Sequence, residues 1–121
     1  MHGKGGYKEF MNRVVITGLG VISPIGNGKD TFFEGLISGK NGIGRITSFD
    51  PSPFSCQIAG EVRDFNPADY MDKKEAKRLV RFIQFAIAAS KMAISDANLV
   101  INKDNSNLVG VLIGLSLIHI S

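Results

Sequence analysis

Few side chains in this chain are equipped for covalent chemistry. Cys56 is the single cysteine, and His2 and His119 are the only histidines. A nucleophilic cysteine needs a nearby base and surroundings that favour the thiolate. The two histidines stand at opposite ends of the chain, so Cys56 reads as an inert structural residue. No Ser-His-Asp set and no metal cluster can be assembled from these residues. The pattern Gly18-x-Gly20-x-x-Ser23 follows an apolar run, as does the turn that cradles a dinucleotide phosphate. That turn requires a third Gly or Ala and a helix opening directly behind it. Ser23 and Pro24 stand there instead, which favours a tight strand exit. What remains is charge. Lys74, Lys77, Arg78 and Arg81 recur at the spacing i, i+3, i+4, i+7 and form one stripe on a helix. A charge run of this kind is either a solvated face or a docking stripe for an acidic partner. Cations in the first turns of a helix oppose its dipole by roughly 0.3–1 kcal/mol each, a cost tolerable at a surface.

The element that must carry the stripe is a long helix over residues 72–98, DKKEAKRLVRFIQFAIAASKMAISDAN. Leu79, Phe82, Ile83, Ala86, Ala89, Ser90, Ala93 and Ala97 follow the three- and four-residue period. Neither Pro nor Gly interrupts it, and Asp72 with Glu75 resembles a capping box. At about 1.5 Å per residue it spans roughly 40 Å. Ala86, Ala89, Ser90 and Ala93 are small, so another element can approach closely there.

Around this helix the remaining segments follow in order. Residues 13–17 (RVVIT) read as a buried strand, and residues 21–27 (VISPIGN) as a loop. Residues 29–38 (KDTFFEGLIS) read as an amphipathic helix, with Phe32, Phe33, Leu36 and Ile37 inward and Gly39 ending it. A loop follows to residue 54, then a short strand over 57–62 and a single helical turn opening on Pro67. Residues 108–113 (LVGVLI) read as another apolar strand. This order predicts a parallel α/β arrangement with a right-handed crossover.

Composition narrows the function classes. The chain has 121 residues, 44% hydrophobic and 21% charged, as expected of a globular domain or a piece of one. A net charge of +3 is too modest to suggest nucleic acid. No apolar run reaches the roughly 18 residues of a membrane span, and MHGKGGYKEF lacks the apolar stretch of a signal peptide. These features predict a cytoplasmic protein that binds neither membrane nor nucleic acid and uses no metal or cofactor. Residues 1–10 are expected to be a non-native upstream extension, with Met11 the natural start. Residues 115–121 (LSLIHIS) match the translation of a transposase sequencing adapter and are expected to be an artefact, leaving His119 no functional role. Residues 11–114 are the expected domain.

Four segments together carry a family resemblance. RVVITGLGVISPIGNG, SGKNGIGRITSFDPSPF, IAGEVRDFNPADYMDKKEAKR and RFIQFAIAASKMAISDANL, in this order and spacing, resemble the N-terminal region of bacterial β-ketoacyl-acyl-carrier-protein synthases II. The resemblance covers residues 11–114. It implies a thiolase-like fold, layered α/β/α/β/α, of which this is the incomplete N-terminal part. It implies an acyltransferase that works as a homodimer in fatty acid synthesis. Such an enzyme moves an acyl chain onto a cysteine and condenses it with malonyl-carrier protein, releasing carbon dioxide. The family's catalytic Cys and two His are expected beyond Gly114, so no catalytic residue is assigned here and Cys56 is not the nucleophile. The resemblance also implies that Lys74, Lys77 and Arg78 dock the acidic acyl-carrier protein. Val80 departs from the family pattern, which carries Asp in many relatives. The competing readings are a polyketide-type ketosynthase and a non-enzymatic module that uses the basic helix to hold an acidic protein or nucleic acid.

Overall fold

The computed structural model describes residues 13–116. Residues 1–10 therefore lie outside the described residues, as do 117–121 of the expected C-terminal artefact. Two short strands, β1 (Ile22–Ser23) and β2 (Gly26–Asn27), form a tight antiparallel hairpin inside the expected loop. Ser23 closes the turn. Its hydroxyl donates to the Gly26 carbonyl at 2.8 Å and accepts from the amides of Ile25 and Gly26 at 3.3 and 3.2 Å.

Helix α1 (Lys29–Ile37) lies where the periodicity places it. Gly39 ends it at φ 64°, a conformation open to glycine without the usual Cβ clash. Its apolar side chains are less inward than expected. Phe32 is half-buried, but Phe33, Leu36 and Ile37 are exposed. The helix instead rests on the hairpin through Gly35, which meets Ile25 so closely that a Cβ there would lie 2.8 Å from the Ile25 carbonyl oxygen.

Strands β3 (Ile43–Arg45) and β4 (Ile58–Gly60) form a second antiparallel ribbon, with Gly44 opposite Ala59. The loop between them is tied down by Glu61. Its carboxylate accepts from both amide and hydroxyl of Thr47 and from the amide of Ser48, at 2.9–3.1 Å. Hydrogen bonding from Ser48, then Thr47, lowers the Glu61 carboxyl from its ordinary 4.5 to about 2. A 3-10 turn (Pro67–Asp69) follows, opening on Pro67 as the sequence predicts, with the Asn66 side chain accepting from the Ala68 amide.

The long helix is the main correction. It is two helices, α2 (Lys73–Ala76) and α3 (Arg81–Asp96), separated by a turn. Asp72 caps α2 as expected, accepting from the Lys74 amide at 2.8 Å. After Ala76 the amides of Arg78 and Leu79 bond back to Glu75 and Ala76, three residues behind, which tightens and ends the helix. Val80 is extended, at φ −70° and ψ 155°, and α3 starts from it without a side-chain cap. The break releases carbonyls that a continuous helix would satisfy. Gln84, buried inside the first turn of α3, takes them up: its Nε2 donates to Ala76 O at 2.9 Å and Leu79 O at 3.0 Å. Asn98, at φ 50°, closes the far end.

Helix α3 is covered on two sides. On one, Phe65 meets Phe85 edge-on at 4.9 Å and stacks on Tyr70 at 5.6 Å, beside buried Met71 and Ala88. On the other, Gly18 and Gly20 press against the small-residue face. A Cβ at Gly18 would lie 2.2 Å from Ala93 O, and one at Gly20 would lie 1.9 Å from Ala89 O. Asp96 fixes this approach by accepting from the Leu19 amide at 3.0 Å and from the Lys29 ammonium. The Lys29 contact and then the Leu19 amide hold the Asp96 carboxyl below its ordinary value.

The expected parallel sheet with its crossover is not formed among the described residues. Residues 13–17 and 108–113 form no strand, because neither has a ladder partner beside it. Ser106–Leu108 forms a second 3-10 turn instead. Val14, Ile16, Val111 and Leu112 are consequently all more than 80% exposed.

Candidate functional site

The α2 segment and the turn behind it present the basic residues. Lys74 lies within α2, Lys77 is its C-cap, and Arg78 follows in the turn. All three are exposed, and among the described residues none makes an ion pair. The three stand within one turn of chain and offer cationic groups to the outside. Arg81, the fourth member of the expected stripe, does not join them. Its guanidinium donates to Val62 O at 2.9 Å and lies over the rings of Phe65 and Phe85, 5.3 and 5.1 Å from their centroids. Arg81 is itself exposed, but its guanidinium is engaged by Val62 O and the two rings, unlike the three cations before it.

The break also changes the electrostatic setting of Lys77 and Arg78. In a helix over 72–98, Lys77 and Arg78 would lie in the positive N-terminal part. Here they stand at and just beyond the C-terminal end of α2, the end of a helix that does not disfavour cations. Lys77 and Arg78 are therefore not opposed by the helix, whereas Lys74 still lies in its first turn.

The other sequence candidates resolve into structure. The Gly18-x-Gly20 pattern is a close approach of backbone to helix, and Ser23 is spent on its own turn, so this stretch offers no phosphate cradle. Cys56 is exposed, with its thiol 3.5 Å from the Ile58 carbonyl. His2 and His119 lie outside the described residues. Among the described residues no group of His, Cys, Asp and Glu can hold a metal. A polar cavity of about 400 Å³ between the hairpin and the second ribbon is lined by Ser23, Asn27, Lys40, Glu61, Arg63 and Asp64, none of them a nucleophile paired with a base.

Residues 11–119 match the family described as β-ketoacyl synthase, N-terminal domain. The chain belongs to that family. It is 55% identical over 102 residues to 3-oxoacyl-[acyl-carrier-protein] synthase 2 of Synechocystis sp., covering 84% of this chain and 24% of that protein. It is 50% identical over 102 residues to the synthase of the same name from Staphylococcus aureus, covering 84% and 25%. Among solved structures it resembles the ishigamide ketosynthase/chain length factor, with a TM-score of 0.65 and 41% identity over 71% of this chain and 21% of that one. The fold class is thus α/β and thiolase-like, as the resemblance implied. The chain spans about a quarter of the length of the curated relatives it matches. No helix among the described residues is long and apolar enough to cross a membrane.

Two contributors escaped the sequence reading. Gln84 donates to the carbonyls on either side of Lys77 and Arg78, and its only signal was a polar residue inside the apolar run RFIQFAI. Glu61 organises the loop after β3 from 13 and 14 residues away, a separation that no local pattern reports.

Proposed function

We propose that this chain is the N-terminal part of a 3-oxoacyl-acyl-carrier-protein synthase 2, a cytoplasmic homodimeric acyltransferase of fatty acid synthesis. In this reading an acyl chain passes to a cysteine of the enzyme and is condensed with malonyl-carrier protein, with loss of carbon dioxide. The nucleophile and its two histidine partners belong to other parts of that enzyme. The role of this region is to hold the acidic carrier protein through Lys74, Lys77 and Arg78. The carrying observation is that three exposed cations, free of ion pairs among the described residues, share one turn of chain. Such a surface acts through electrostatic steering and weak rim contacts.

The likeness to a ketosynthase/chain length factor supports a polyketide-type alternative, but the identity is lower and the covered share smaller than for the synthases.

The test is a paired assay of the full-length enzyme. Lys77→Glu with Arg78→Glu should raise KM for malonyl-carrier protein about five- to thirtyfold, from about 1–2 kcal/mol of lost attraction and added repulsion. Turnover of small acyl thioesters without a carrier protein should change less than about twofold, since the substitutions leave the chemistry untouched. An equal loss on both substrates would show that the residues support fold or active site instead.

A further inference from the structure

We infer that Gln84 is a positioning residue for carrier-protein docking: it fixes the α2–α3 break and so sets where Lys77 and Arg78 point. The inference rests on the docking reading above and extends it to a residue that no partner can touch.

Gln84 is 9% exposed, the one buried polar side chain among the described residues. Its amide nitrogen faces two backbone carbonyls, Ala76 O at 2.9 Å and Leu79 O at 3.0 Å. Both neighbours are acceptors, so the donor end of the amide must point at them. These two carbonyls bracket Lys77 and Arg78 in the chain. One side chain thus clamps both ends of the segment that carries the cations.

The clamp makes the break self-consistent. Without it, Ala76 O keeps the Leu79 amide but Leu79 O loses the Gln84 donor, and the chain can recover one by winding residues 77–80 into a continuous helix. That rewinding would swing Arg78 about the helix axis and draw Arg81 off Phe65 and Phe85. The cations would remain on the protein but in a different arrangement.

Two variants of the full-length enzyme test this. Gln84→Met keeps the volume and removes the donor, while Gln84→Glu keeps the shape and sets oxygen against oxygen. Each should raise KM for malonyl-carrier protein about three- to tenfold, while kcat and the turnover of carrier-free thioesters stay within about twofold. Lys77→Ala should cost less than about twofold further in the Gln84→Met background, because a misplaced cation has little left to lose. Hydrogen exchange should change at residues 77–80 more than within α3, which begins at Arg81. Additive effects of the two substitutions, or equal losses on both substrates, would overturn the inference and leave Gln84 a stability residue. Failure of both variants to fold would do the same. If Lys77→Glu raises KM and neither Gln84 variant does, this inference fails and the docking reading stands. If Lys77→Glu itself leaves KM unchanged, the docking reading fails and takes this one with it.

Discussion

Replacing Gly20 by Ala adds one methyl group and should loosen α3 more than any other single methyl in this region. The added Cβ would lie 1.9 Å from the Ala89 carbonyl oxygen and 2.8 Å from the Ala89 carbonyl carbon and the Ala93 amide nitrogen. Ordinary contact begins near 3.4 Å, so the segment and the helix must part by roughly 1.5 Å. No rotamer change can relieve this, because every atom in the clash is backbone. Overpacking of a filled contact costs about 1–3 kcal/mol, and a backbone clash belongs in the upper half of that range. Separation also pulls the Leu19 amide from Asp96, 3.0 Å away at present. The assay is native-state hydrogen exchange on the full-length protein, reading amides of residues 89–97. A loss of about 2–3 kcal/mol in opening free energy quickens exchange roughly 30- to 150-fold. Gly110→Ala is the control, since nothing stands within 4 Å of a Cβ there. Exchange at 89–97 unchanged in Gly20→Ala would refute the close approach, and with it the explanation of the Gly-x-Gly pattern.

Three further outcomes are expected. Val80→Asp should stabilise the start of α3 by about 1 kcal/mol, because Val80 caps that helix without a side-chain acceptor; chemical denaturation measures it, and no gain would mean that α3 does not begin there. The folded-state carboxyl of Glu61 is depressed, so its contribution is complete above pH 4.5 and is lost as pH falls toward about 2. Proteolysis of the loop between β3 and β4 should rise across that window in the wild type, and Glu61→Gln should already be cut readily at neutral pH. The 121-residue chain alone should form no condensation product from acyl and malonyl carrier proteins, since no activated nucleophile is present; product that survives Cys56→Ser would contradict this.

Local signals were legible where chain neighbours decide the outcome. Pro67 opened its turn, Asp72 capped α2, and Gly39 ended α1. The small residues Ala89 and Ala93 did receive a close neighbour, although nothing in the sequence identified it as Gly18 and Gly20. The break at residues 77–80 was not legible. Lys77, Arg78 and Leu79 are good helix formers, and a lone Val is a weak reason to stop. At that break the Gln84 side chain, eight residues downstream of Ala76, donates to its carbonyl, a tertiary contact that propensity does not contain. The apolar runs at 13–17 and 108–113 have the composition of buried strands, but strand formation needs a partner at ladder distance, and neither has one among the described residues. Lys74, Lys77 and Arg78, proposed here for docking, were legible as a run of charge; their separation from Arg81 required the positions of Phe65 and Phe85.

Lys74, Lys77 and Arg78 are proposed to receive an acidic carrier protein. Direct titration tests this most sharply: the full-length enzyme against acyl-carrier protein across a salt series, with wild type, Lys77→Glu/Arg78→Glu, and the same variant against a carrier protein whose acidic helix has been reversed to Lys. The account predicts weaker binding and a flatter salt dependence for the variant with natural carrier protein, and recovery of affinity with the charge-reversed one. Equal affinity and equal salt slope for wild type and variant, with no gain on charge reversal, would contradict it.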